Sequence, residues 1–233
     1  MDELVHRQNL SPNWDERTLP VSMVVLHYTG MKTAAEAEAR LCDPAAKVSA
    51  HYLIDEGGEV VRLVPEDKRA WHAGRSFWRG IADVNSASIG IELANPGHEW
   101  GYRPFPPAQM EALAPLLAAI VARHRIAPIN VVGHSDVAPG RKEDPGELFD
   151  WPWLARLGLA LPTPKPRIRL IYDNNSAFYL ALERLGYDIS DGHAAVRAFQ
   201  RRWRPRTIDG VIDGEVGALL FELLLAQGVS SAR

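Results

Sequence analysis

Short apolar runs alternate along the chain with longer stretches of helical period, the pattern of a fold that interleaves strands with helices. Residues 22–27 (SMVVLH) form an apolar run ending on His27 and predict a buried strand. Residues 34–41 have helix-forming composition and stop before Asp43-Pro44, where proline restricts the preceding backbone. A Glu-Gly-Gly turn between residues 51–55 and 59–64 predicts a hairpin. Residues 88–93 (SIGIEL) predict another strand, followed by a loop rich in Pro and Gly. Residues 106–125 (PPAQMEALAPLLAAIVARHR) predict a long apolar helix, with Pro107 in its first turn and Pro115 as an internal kink. Residues 129–133 predict the next strand. The expected class is α/β, a central mixed β-sheet flanked by helices.

The pattern changes at residues 161–169 (LPTPKPRIR), where three prolines in five residues predict a stiff, extended linker. Beyond it Phe178, Leu182 and Leu185 fall at i, i+4, i+7, and Val196, Phe199 and Trp203 at i, i+3, i+7. A third run, residues 215–226, is apolar on two sides. The expected organisation is a first domain over residues 1–160, the linker, and a small all-α three-helix domain over 170–233.

Composition narrows the function classes. A formal net charge of −3 without a long basic run argues against nucleic acid as the partner. The single cysteine, Cys42, excludes an intramolecular disulfide and a Cys-rich metal cluster. No apolar stretch approaches the roughly 18 residues of a membrane span. The opening MDELVHRQNL has neither a basic n-region nor an apolar h-region, so a cytoplasmic location is expected. No pattern bears on oligomeric state.

His27 and His134 each end a predicted strand, and Asp144 follows His134 by ten residues in a polar loop. Two neutral imidazoles and one carboxylate make a workable three-ligand zinc site with a fourth position open. Histidines at strand ends also serve as packed or surface residues, and spacing alone leaves both readings standing. Lys142 lies two residues before Asp144, so in an extended loop the two side chains point the same way. An ammonium there would stabilise an oxyanion.

Five motifs in order, VVLHYTG, VSAHYLID, GEVVRLVPEDKRAWHAG, SIGIEL and VVGHSDVAPGRKEDPG, resemble the N-acetylmuramoyl-L-alanine amidase family, the zinc amidase type related to peptidoglycan recognition proteins. The resemblance covers about residues 20–153. It implies a zinc enzyme hydrolysing the amide between the lactyl group of N-acetylmuramic acid and L-alanine of the stem peptide. By motif, His27, His134 and Asp144 are the implied zinc ligands; some relatives carry Cys where this chain has Asp144. Glu92 in SIGIEL matches the family's catalytic acid, and Lys142 is the implied oxyanion partner. His72, Trp71, Tyr28 and His51 are the implied groove and substrate residues; Asn95, three residues after Glu92, is expected to line the groove, and Arg141 is expected at the surface. The implied partners are peptidoglycan fragments or muropeptides. Two alternatives remain: a non-catalytic peptidoglycan sensor, and a stem-peptide endopeptidase on the same scaffold.

In the C-terminal region, Leu185-Gly186-Tyr187, AVRAFQ at 195–200, Asp209-Gly210-Val211 and Asp213-Gly214 resemble the three-helix peptidoglycan-binding domain found beside wall hydrolases. The resemblance implies a wall-docking module. Packing against the first domain to shape its groove is the alternative.

Overall fold

The computed structural model describes residues 4–166, 169–170 and 174–230. Part of the expected linker (167–168), residues 171–173 and both chain ends lie outside the described residues. The strands are β1 (Arg7–Gln8), β2 (Trp14–Glu16), β3 (Met23–Tyr28), β4 (Tyr52–Ile54), β5 (Val60–Arg62), β6 (Lys68–Ala70), β7 (Ser88–Leu93) and β8 (Val131–Gly133). The helices are α1 (Ala34–Cys42), α2 (Val84–Ala87), α3 (Gly97–Trp100), α4 (Pro107–His124), α5 (His134–Val137), α6 (Trp151–Arg156), α7 (Asn175–Leu185), α8 (Gly192–Trp203) and α9 (Gly214–Ser230). Among the described residues, no helix is long and apolar enough to cross a membrane.

Six strands form one mixed sheet in the order β1-β5-β4-β7-β3-β8, and β2 pairs with β6 in a separate ribbon. The three apolar runs read from sequence, β3, β7 and β8, lie side by side and parallel. The hairpin is antiparallel as expected, but its strands are shorter than the runs that predicted them. Helix α4 continues through Pro115. Thr33 caps α1, its hydroxyl accepting from the Glu36 amide.

Alternation along the strands sends neighbouring side chains to opposite faces. Val24, Leu26, Ile89, Ile91 and Leu93 face α4 through Leu113, Leu116, Leu117 and Ile120. On the other face, Leu53 and Val61 pack with Leu41 at the end of α1. Met23, Val25 and Val132 share a core with Phe178, Leu182, Phe199, Leu220 and Leu223 of the C-terminal helices. The hydrophobic core of the sheet therefore runs on into the C-terminal helices. Between α1 and the C-terminal helices, the carboxyl ends of β3, β7 and β8 are left for a site, the usual place for one at the end of parallel strands.

A shared core predicts that the two regions unfold as one cooperative unit. Phe199→Ala, at a fully buried position, is expected to cost about 3–5 kcal/mol. Urea unfolding followed by far-UV circular dichroism and by tryptophan fluorescence should give one coincident transition. Two resolved transitions would mean that the helices fold apart from the sheet.

Candidate metal centre and groove

Register brings the first residues together. His27 pairs with Glu92 across parallel strands, so both side chains leave the same face of the sheet. His134 begins α5 directly after β8, and the loop returns Asp144 to it, tied by a bond from the Ser135 amide to the Asp144 carbonyl at 2.8 Å. The Asp136 carboxylate accepts from the Gly133 amide at 2.8 Å and fixes the start of that turn.

Three donor atoms converge. His27 Nδ1 and His134 Nδ1 lie 2.9 Å apart, and each is 3.0 Å from Asp144 Oδ2. All three residues are buried. Metal bonds of about 2.0–2.1 Å place tetrahedral neighbours about 3.3 Å apart, close to this triangle.

The hydrogen bonds behind the triangle run one way. Ser88 Oγ donates to the Val84 carbonyl at 2.5 Å, so it accepts from His72 Nε2 at 3.2 Å. His72 Nδ1 is then an acceptor and takes the proton of His27 Nε2 at 3.0 Å. That leaves the lone pair of His27 Nδ1 aimed into the triangle. His134 Nε2 donates to the Ala73 carbonyl at 3.0 Å, which turns its Nδ1 lone pair the same way. Burial first, and His134 second, lower the His27 pKa to about 4. Against the burial that would raise it, His134 and His27 hold the Asp144 carboxyl below the usual carboxylate range. Neutral imidazole with ionised carboxylate is the state a metal requires, so the donor set fits a small divalent cation.

Glu92 lines the same cavity, and its Oε2 is buried without a hydrogen-bond partner. Burial, then Asp144, raises its pKa well above the ordinary carboxylate value, with Lys142 opposing. A carboxyl whose surroundings oppose ionisation is suited to taking up and passing on a proton. The cavity holds about 850 Å³ and is lined also by Tyr28, Lys142, Lys32, Arg40 and Trp100. A second arm of about 350 Å³ leads away past Trp71, Lys47, Arg69 and Asp15.

The other sequence candidates divide. Tyr28 and Trp71 line the groove, with Tyr28 Oη bonded to His98 Nδ1 at 2.9 Å and Trp71 Nε1 donating to Asp15 at 2.7 Å. His72 reaches the groove wall but has both ring nitrogens engaged behind His27. His51 is fully buried under the sheet, its Nδ1 accepting from the Gly90 amide at 2.9 Å. Asn95 is buried too, its amide donating to the Arg103 carbonyl at 2.8 Å and accepting from Gly97 at 3.1 Å. It braces a loop and does not face the cavity.

Sequence reasoning missed Arg141, Lys32, Arg40 and Trp100. Arg141 is at the surface as expected, yet its guanidinium turns inward to the Ala73 and Arg75 carbonyls. Trp100, half exposed beneath the Lys32 ammonium, could have been noticed as a large apolar residue in a polar loop.

The pattern of the N-acetylmuramoyl-L-alanine amidase family matches residues 17–147. The N-acetylmuramoyl-L-alanine amidase AmiD of Escherichia coli (strain K12) is 37% identical over 236 residues, covering 89% of this chain and 84% of that one. The solved complex of Escherichia coli AmiD with anhydro-N-acetylmuramic acid-L-Ala-D-gamma-Glu-L-Lys superposes with a TM-score of 0.79 at 35% identity, covering 92% and 93% of the two chains. AMPDH3 from Pseudomonas aeruginosa, solved with anhydromuramic pentapeptide, gives 0.69 at 30% identity, covering 91% and 96%.

Two outcomes test the site. Gly90 lies directly under His72: a Cβ there would sit 2.4 Å from the ring. Gly90→Ala should displace His72, release His27, and weaken metal binding roughly 10–100-fold, as read by chelator competition. Unchanged affinity would exclude the relay. The second concerns acid. Burial, then Arg17, lowers the His51 pKa to about 3 from 6.5. The unfolded chain therefore binds a proton that the folded one refuses, and stability should fall as pH drops from 6.5 toward 3. Urea midpoints across that window should show the slope, and His51→Gln should reduce it, leaving the part due to the other buried histidines His27 and His72.

Proposed function

This chain belongs to the N-acetylmuramoyl-L-alanine amidase family, and we propose that it is a zinc-dependent amidase cutting between the lactyl group of N-acetylmuramic acid and L-alanine. One observation carries the reading: Glu92, with one buried carboxylate oxygen that lacks a hydrogen-bond partner, stands in register beside three converging donors at the head of an open groove. His27, His134 and Asp144 would hold the metal. Zinc bound there would supply Lewis acidity and lower the pKa of water.

The chain's own groups carry the rest. Glu92, with its raised pKa, takes a proton from the attacking water and returns it to the leaving amine nitrogen. Lys142, on the loop that brings Asp144, faces the oxygen that becomes negative and offsets its charge. A groove with two arms meeting at the metal suits a substrate that departs in two directions, saccharide one way and stem peptide the other. Anhydro-muramyl peptides are the preferred substrates in this reading. Support comes from the likeness to AmiD, which was solved with such a compound and aligns over 92% of this chain.

Mass spectrometry tests both bond and roles. Zinc-loaded protein and a soluble muramyl tetrapeptide should release a peptide beginning at L-alanine, and chelation should stop it. Cleavage within the peptide would make the protein an endopeptidase, and binding without cleavage would make it a sensor. Glu92→Ala should keep stoichiometric zinc while turnover falls about 10²–10⁴-fold. Loss of zinc from that variant would overturn the proton-transfer role.

A further inference from the structure

The loop from Gly133 to Glu147 supplies two of the three metal donors, and the C-terminal helices grip it at three places. At its start, Tyr187 Oη donates to Asp136 Oδ1 at 2.6 Å, while the other oxygen of Asp136 holds the Gly133 amide. Arg202, from α8, approaches the same carboxylate at 3.6 Å and lies 3.1 Å over the Trp151 ring. Near the middle, Gly140 backs onto α8 so closely that an added Cβ would sit 3.0 Å from the Ala194 methyl. At its end, Arg201 Nη2 donates to Glu143 at 2.7 Å and Arg201 Nε lies 3.6 Å from Glu147. Glu143 and Glu147 bracket Asp144 in the chain.

These groups are not surface decoration. The side chains of Arg201 and Arg202 are 8% and 4% exposed. Burying two guanidinium groups beside a loop costs desolvation, which the loop carboxylates offset in part, with the Trp151 ring and the Val131 carbonyl adding to that offset for Arg202. Packing alone would have been served by apolar residues at these positions.

We propose that Tyr187, Arg201 and Arg202 are positioning residues of the metal centre, so that the C-terminal helices complete the ligand geometry of His134 and Asp144. This rests on reading His27, His134 and Asp144 as the zinc ligands. The helices lock both ends of the loop and thereby fix the separation of the His134 nitrogen from the Asp144 oxygen. Their action passes through Asp136 at one end and Glu143 at the other.

The test measures zinc itself, by chelator competition on the full chain, independently of amidase turnover. Arg201→Ala and Tyr187→Phe should each raise the zinc Kd on the order of tenfold, and Arg201→Lys should recover part of the loss. Glu143→Gln removes the charge that Arg201 meets on the loop side and should raise the zinc Kd in the same direction by less, because Glu147 remains, which covers the case of an Arg201 variant that fails to fold. Leu220→Ala removes packing from the same helical core without removing a hydrogen bond. It should lower Tm while leaving the zinc Kd within about twofold. Wild-type affinity in Tyr187→Phe and Glu143→Gln would overturn the proposal. So would a loss of affinity in Leu220→Ala in proportion to its loss of Tm. A wild-type chain that takes up no zinc would instead overturn the metal-centre reading beneath it.

Discussion

Three polar atoms, two imidazole nitrogens and a carboxylate oxygen, face one another within 3.0 Å at the end of a buried sheet. Lone pairs crowded in this way repel, and burial removes the water that would separate them. Folding to this geometry is tolerable only with protons or a cation among them, and the hydrogen bonds behind the histidines decide between the two. Ser88 points its proton at Val84, so His72 must donate to Ser88 and His27 must donate to His72. The direction set at a backbone carbonyl of α2 thus empties His27 Nδ1 of hydrogen. The same logic applies at His134 through the Ala73 carbonyl. The scaffold leaves three lone pairs facing one another by choosing where protons are not, an arrangement that fits a cation.

The sheet explains why this can be done in so few residues. Parallel pairing in register places Glu92 next to His27 without any loop geometry to tune. The alternate positions of β7, Ser88, Gly90 and Glu92, each have one task on that face. Ser88 ends the relay, Gly90 leaves room for the His72 ring, and Glu92 meets the groove. A larger residue at 90 would displace His72, and a one-residue slip of β7 would send Glu92 into the opposite core.

Much of this was legible in the sequence, and the divide has a physical basis. Strands β3, β7 and β8 were visible because continuous apolar runs are the signature of strands buried on both faces. The ligand triad was within reach only through a family resemblance, since residues 27, 134 and 144 meet through tertiary folding that no local periodicity encodes. His72 was singled out, but its place behind His27 was not, because that depends on a hydrogen-bond direction set at Val84. Asn95 looked like a groove residue from its distance to Glu92, yet after the strand ends the chain turns and its amide is drawn to Arg103 and Gly97. Arg141 reads as an ordinary loop arginine until the Ala73 and Arg75 carbonyls are seen beneath it.

The C-terminal helices show the limit of helical periodicity. The spacing of Phe178, Leu182, Phe199 and Trp203 establishes apolar faces but is silent on what those faces cover. Here they cover Met23, Val25 and Val132 as well as one another. The AVRAFQ segment that carries the wall-binding resemblance is spent accordingly. Val196, Ala198 and Phe199 are buried, and Gln200 is bonded to Asp209 and to the Val211 carbonyl. The outer faces of α7 and α9 keep Leu180, Phe221 and Leu225 exposed. The inner face is already occupied, and what occupies it is the strand floor and the loop that carries His134 and Asp144. A helical unit that resembles a docking module therefore has its most constrained surface committed to the sheet and to that loop, because its apolar and charged inner positions are already satisfied there.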